Sequence, residues 1–110
     1  MTEDQFITIT QWQKKTFGNA TAMSKLYHLE QEVSELKSSV LKFNTSGSIA
    51  TQSEMELEFA DCFLLLFGAA NCAGLSYWDI CCCIEEKMKI NEKRKWGVPD
   101  ENGVVNHIKE

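Results

Sequence analysis

The sequence is short of the features that break helices. It holds a single proline, Pro99, close to its C-terminal end, and only six glycines in 110 residues, so little upstream forbids long helical segments. It also has no apolar run of membrane length. The longest, from Phe63 to Ala70, falls well short of the roughly 20 residues a spanning helix needs. Basic charge is scarce as well: 11 Lys and Arg against 16 Asp and Glu give a formal charge of −5. That balance argues against a nucleic-acid partner held on a basic face and means a polyanionic substrate needs a metal or a local cationic patch. The opening Met-Thr-Glu-Asp-Gln lacks the basic and apolar regions of a secretion signal. Separated cysteine pairs of the CxxC kind are missing too. Cys81, Cys82 and Cys83 are consecutive, with Cys62 and Cys72 elsewhere. Three successive helical positions point in three directions, so small buried apolar residues in a reducing compartment are expected rather than a zinc site. The expectation is a cytoplasmic protein with no membrane association.

What is present is helical patterning. One domain over 1–110 is expected, all-α with four helices, and a chain of this length buries only a modest core alone. The first helix is predicted from about Thr2 to Lys15, with Phe6, Ile9 and Gln13 along one side, although Ile7-Thr8-Ile9-Thr10 is a β-branched run. After Phe17-Gly18-Asn19, either Asn19 or Thr21 caps a second helix reaching about Phe43. Asn44 to Ser48 reads as a loop by composition, and a third helix begins at Thr51 or Ser53 and ends near Gly74. A fourth starts at Ser76 and stops at Gly97-Val98-Pro99, leaving 98–110 as a strap or tail with a turn at Glu101-Asn102-Gly103. In the third helix Phe63, Leu64, Leu65, Leu66 and Phe67 cover nearly the whole circumference. A helix apolar all round must be buried all round, so a second subunit is the natural cover and a homodimer or homotetramer is expected.

Two acidic pairs stand out, Glu32 with Glu35 and Glu58 with Asp61, each spaced i, i+3. The first pair accompanies the stripe Leu26, Leu29, Val33, Leu36, Val40. The second accompanies Met55, Phe59, Cys62, Phe63, Leu66, Phe67, Ala70. Every acid immediately precedes a stripe residue, so two helices packed along their stripes bring four carboxylates together. Like charges so gathered raise one another's pKa and make sense around a hard, oxygen-seeking cation. Acidic residues on helix flanks are also commonly just solvated, which leaves a non-catalytic helical interaction domain as the alternative. On the fourth helix Lys87, Asn91 and Arg94 share a face at i, i+4, i+7. They suit a grip on phosphate and sugar, or a salt-bridged solvated face among Glu85, Glu86, Glu92 and Lys93. His28 shares a face with Glu32 and Glu35. It reads either as a substrate contact, as a partner bracing a ligand carboxylate, or as an ordinary hydrogen-bonded histidine. Trp12 reads either as a stacking surface for a base or as an interface residue, and Trp96 as packing at the end of the fourth helix.

Taken together, His28-Leu29-x-x-Glu32-Val33-x-Glu35-Leu36, Glu58-Phe59-Ala60-Asp61 and Lys87-Met88-x-x-Asn91-x-x-Arg94-x-Trp96-Gly97 resemble the all-α nucleotide pyrophosphohydrolases of the MazG-like superfamily. Trp12-Gln13-x-x-Thr16-Phe17-Gly18 and the ending His107-Ile108-Lys109 are similar to its small phage and bacterial dATP/dGTP pyrophosphohydrolase branch. The resemblance covers almost the whole chain. It implies a MazG-like bundle completed by oligomerisation, and hydrolysis of a nucleoside triphosphate, best a purine deoxynucleotide, to the monophosphate and pyrophosphate. It implies magnesium, with manganese as a substitute, held by Glu32, Glu35, Glu58 and Asp61, with Glu35 or Glu32 handling the attacking water. Lys87, Asn91, Arg94, His28 and Trp12 are the implied substrate contacts. The same fold acting on phosphoribosyl-ATP is a further alternative. Some relatives carry a tyrosine just after the second acidic motif. Phe63, Leu64 and Leu65 stand there here, so no phosphate contact is expected from that turn.

Overall fold

The computed structural model describes residues 1–109. They form four helices: α1 (Glu3–Phe17), α2 (Ala22–Ser46), α3 (Ile49–Cys72) and α4 (Tyr77–Lys93). Among the described residues there is no β-strand beyond one isolated antiparallel bridge, so the fold is all-α. The chain divides into two compact units, Met1–Tyr77 and the part from Trp78 onward.

The first unit is a helical hairpin with α1 against it. α1 forms despite its β-branched run because both ends and the middle are satisfied locally. Thr2 and Gln5 close a reciprocal capping box, with Gln5 N–H donating to Thr2 Oγ1 at 3.2 Å and Thr2 N–H to Gln5 Oε1 at 2.9 Å. Thr10 donates its hydroxyl back to Phe6 O at 3.0 Å. Glu3 and Asp4 at the start and Lys14 and Lys15 at the end complement the helix dipole. Thr21, not Asn19, caps α2, paired with Ser24 in the same reciprocal way.

The expected loop over Asn44 to Ser48 is corrected. α2 continues through Ser46, because Thr45 and Ser46 return their hydroxyls to Leu41 O and Lys42 O instead of unwinding the turn. Gly47 then takes the left-handed conformation (φ 59°, ψ 20°) and donates its N–H to Phe43 O at 2.8 Å. Ser48 caps α3 at once, accepting from Thr51 N–H at 3.1 Å, so α3 begins at Ile49 rather than at Thr51 or Ser53. The connection is therefore Gly47-Ser48 alone, and α2 and α3 run antiparallel. The Ser46 and Thr51 hydroxyl oxygens lie 3.1 Å apart at the turn, while at the far end the Cys72 thiol approaches Ala20 O at 3.7 Å.

The core of this unit is small: Phe6, Leu65 and Ala69 are its buried apolar residues, and no side chain among the described residues is fully enclosed. The Phe6 ring meets Phe67 edge-on and stacks with Tyr77. Phe63 and Leu66 on α3 remain more than half exposed in the single chain, and Leu57 is 70% exposed. The cysteines correct their expectation as well. Cys72, Cys82 and Cys83 are exposed, Cys62 and Cys81 are intermediate, and all five are free thiols. The chain has too little core to enclose them.

In the second unit, α4 ends at Lys93, earlier than the expected Gly97-Val98-Pro99 stop. Arg94 N–H bonds Asn91 O at 3.3 Å, and the Trp96 indole N–H bonds the same carbonyl at 3.1 Å. The segment after Pro99 is a strap: Asp100 Oδ1 accepts from the N–H groups of Asn102 and Val104, turning the chain back. Gly97 N–H then bonds Asn106 O at 2.9 Å and Ile108 N–H bonds Lys95 O at 2.8 Å. The Trp96 ring rests edge-on against His107.

Candidate active site

The antiparallel hairpin does what the two stripes predict. Counting from the Gly47-Ser48 turn, Glu32 and Glu35 on α2 come level with Asp61 and Glu58 on α3. Oxygens of Glu32, Glu58 and Asp61 lie within 4.8 Å of one another. Glu35 joins through Glu32. A hydrogen bond with the Glu35 carboxyl, then burial, then the negative charges of Glu35, Asp61 and Glu58, hold Glu32 above its ordinary carboxylate range. Burial, then the charges of Glu32, Asp61 and Glu58, raise the neighbouring Cys62 thiol as well, which keeps it un-ionised.

His28, one turn before Glu32, places Nε2 3.2 Å from Glu32 Oε1. It braces the carboxylate from the solvent side, since its own side chain is about half exposed while that of Glu32 is only 17% exposed.

The donor set fits a hard divalent cation. All four groups offer carboxylate oxygens, the ligands such ions prefer. The 4.8 Å span is close to the separation of opposite oxygens around one cation, about 4 Å for magnesium and about 5 Å for calcium. Independently of the clustering, Glu58 Oε2 is buried and accepts no hydrogen bond. A buried carboxylate oxygen without a donor is costly, and a cation removes that cost.

The remaining expected site residues are on α1 and α4. Trp12 is on α1, 57% exposed, with its ring edge-on to Phe17 at 5.5 Å. Lys87, Asn91 and Arg94 lie on one face of α4 in the second unit. Lys87 is exposed, whereas Asn91 and Arg94 are half-buried with Arg94 Nη1 3.5 Å from Asn91 Oδ1. Phe63 and Leu64 stand outward after the second acidic motif and Leu65 is buried, so that turn offers no polar group from its side chains.

One feature of the first unit escapes the motif reading. A cavity of about 500 Å3 opens between α1, the start of α2 and the end of α3, and Lys25 is in its wall, only 6% exposed. The signal was available in the pattern: Lys25 immediately precedes stripe residue Leu26, the same offset that Glu32 and Glu35 hold.

The family model for dATP/dGTP pyrophosphohydrolase matches residues 5–110. No curated protein and no solved structure gives a match. The matched span includes both acidic motifs, the α4 face and the C-terminal strap, which sets aside the alternative of a non-catalytic interaction domain. The chain belongs to the dATP/dGTP pyrophosphohydrolase family and is a nucleoside triphosphate pyrophosphohydrolase.

Proposed function

We propose that the protein hydrolyses a purine deoxynucleoside triphosphate to the monophosphate and pyrophosphate at the carboxylate cluster, with magnesium as the resident cation. The observation that carries the reading is the convergence of Glu32, Glu58 and Asp61 around the unpartnered Glu58 Oε2. Glu32, Glu35, Glu58 and Asp61 would hold the ion, and manganese would substitute because it prefers the same ligands. When bound, the cation supplies Lewis acidity toward a phosphoryl oxygen and toward water.

The chain's own groups do the rest. Water adds to the α-phosphorus, the bond to the bridging oxygen breaks, and pyrophosphate leaves. The proton of that water passes to a carboxylate, and Glu35 suits the task. It stands one turn from Glu32 on the same helix, and its side chain is exposed to water. His28 holds Glu32 in place as a positioning residue. Lys87, Asn91 and Arg94 present one cationic and amide face, spaced for phosphate and sugar oxygens.

The small single-chain core and the exposed Phe63, Leu66 and Leu57 of α3 support a homodimer or homotetramer in which a second copy covers that helix. Among the described residues no single helix is long and apolar enough to cross a membrane, which accords with a cytoplasmic enzyme working as one functional domain over 1–110. Incubation with dGTP or dATP and magnesium tests the activity directly. Pyrophosphate is the expected first product, and orthophosphate as first product sinks the reading.

A further inference from the structure

The cavity beside Lys25 is built differently from the acidic cluster. Three polar side chains in its wall are each at least nine-tenths buried: Thr10, Gln13 and Lys25, at 6%, 5% and 6% exposure. Lys25 has no ion-pair partner among the described residues, and its Nζ sits 4.8 Å from the centre of the Phe17 ring. A buried ammonium group without a carboxylate is expensive, and a cation–π contact offsets only part of that. The other polar ends facing this space are oriented by the protein. Gln13 donates Nε2 to Leu64 O at 2.9 Å, which leaves its carbonyl oxygen against Gly68. Asn71 donates Nδ2 to Leu75 O at 3.3 Å, which leaves its Oδ1 free to accept. Thr10 has its hydroxyl proton engaged by Phe6 O.

The wall therefore offers the buried Lys25 ammonium as an inner donor, Lys14 as an exposed one, and the amide oxygens of Gln13 and Asn71 as acceptors. The anionic oxygens of a phosphate group would meet the carbonyl ends of Gln13 and Asn71 as well as the ammonium groups, and the former contact is unfavourable. A heterocycle edge that sets one acceptor beside two donors suits the wall. The distance also suits. Lys25 precedes Glu32 by seven residues on α2, and Gly68 follows Asp61 by seven on α3, each about 10 Å at 1.5 Å per residue. Seven residues are nearly two full turns, so Lys25 and Glu32 share a face, as do Gly68 and Asp61. A cavity of about 500 Å3 is within the usual range for small-ligand pockets, roughly 300–1,000 Å3.

We infer that this cavity receives the base of the nucleotide and favours a 6-oxopurine, with Lys25 donating to the 6-oxygen and Gln13 and Asn71 accepting from the ring N–H and the 2-amino group. The inference rests on the proposed nucleotide chemistry and adds the residues that choose the base. A 6-aminopurine turns a donor toward the Lys25 ammonium and loses that contact. Gly68 is part of the design, because a Cβ there would collide with the Gln13 amide and push it from its bond to Leu64 O.

The test is binding, read without turnover, together with kinetics. Deoxyguanosine monophosphate and deoxyadenosine monophosphate are titrated into the wild-type protein and into Lys25→Met. The wild type is expected to bind the guanine nucleotide about tenfold or more tighter, the scale of one good hydrogen-bond pairing to a base. Lys25→Met is expected to lose that preference, to lower kcat/KM for dGTP by a similar factor, and to keep the magnesium-induced rise in Tm. Equal binding of the two monophosphates by the wild type overturns the inference whether or not the variant folds. A uniform weakening of both monophosphates and of inorganic pyrophosphate by Lys25→Met also overturns it, because Lys25 then grips phosphate. If the wild type releases no pyrophosphate from any triphosphate, the proposed activity fails, and the monophosphate titration still decides the pocket.

Discussion

Replacing Glu58 with Gln should raise the stability of the metal-free protein while removing its response to magnesium. Glu58 is a direct choice because its Oε2 is buried and accepts no hydrogen bond, so the substitution breaks no contact of that atom. Its carboxylate lies within 4.8 Å of oxygens from both Glu32 and Asp61. At such a distance one like-charge pair costs about 1 kcal/mol in a water-like medium and about 3–4 kcal/mol at an effective dielectric near 20. Asp61 is exposed and solvent screens its charge, so the lower end applies. Deleting the Glu58 charge should therefore stabilise the metal-free fold by about 1–2 kcal/mol. For a domain of this size that is a rise in Tm of roughly 4–10 °C, shrinking as salt screens the cluster. Added magnesium should raise the wild-type Tm through binding to the folded state alone and leave the variant nearly unmoved, so the order of the two Tm values converges or reverses. Thermal denaturation in chelator and in magnesium, at one protein concentration, measures both effects. A Glu58→Gln protein that melts lower than wild type in chelator, and that still gains Tm with magnesium, refutes the reading of the cluster.

Because folding raises the Glu32 pKa, the folded chain binds that proton more tightly than the unfolded chain does. The resulting stability is complete below the ordinary carboxylate pKa and is lost as pH rises through the raised value. Melting curves in chelator should show this loss with increasing pH, and Glu32→Gln should flatten it; an unchanged slope in the variant contradicts the assignment. Gly68→Ala should displace the Gln13 amide and break its bond to Leu64 O, at a cost of about 1–3 kcal/mol, visible as a lower denaturation midpoint. A Gly68→Ala protein as stable as wild type shows instead that Gln13 moves aside freely.

The positions of the four carboxylates were legible because they depend on one regularity, the helical period. Each acid precedes a stripe residue, and two stripes that pack antiparallel must bring the acids level. The turn was harder. Asn44, Thr45 and Ser46 have loop composition, yet the hydroxyls of Thr45 and Ser46 bond the preceding turn and the helix continues to Gly47. Composition cannot distinguish a hydroxyl that leaves a helix from one that folds back onto it. The cysteines misled for a different reason. Their small apolar character suggests burial, but Cys82 and Cys83 belong to a unit with too little core to enclose them. The Lys25 cavity was hidden because its wall is assembled from α1, α2 and α3 at once, with Gln13 and Lys25 far apart in sequence from Gly68 and Asn71. Only the offset of Lys25 before Leu26 hinted that it shares a face with the acids.

The central claim is that water attacks the α-phosphorus of a purine deoxynucleoside triphosphate held by this cluster. Hydrolysis of dGTP in oxygen-18 water with magnesium, followed by mass spectrometry of both products, tests it most directly. The label is expected in the monophosphate, with none in pyrophosphate. Label in pyrophosphate places the attack on the β-phosphorus and contradicts the account.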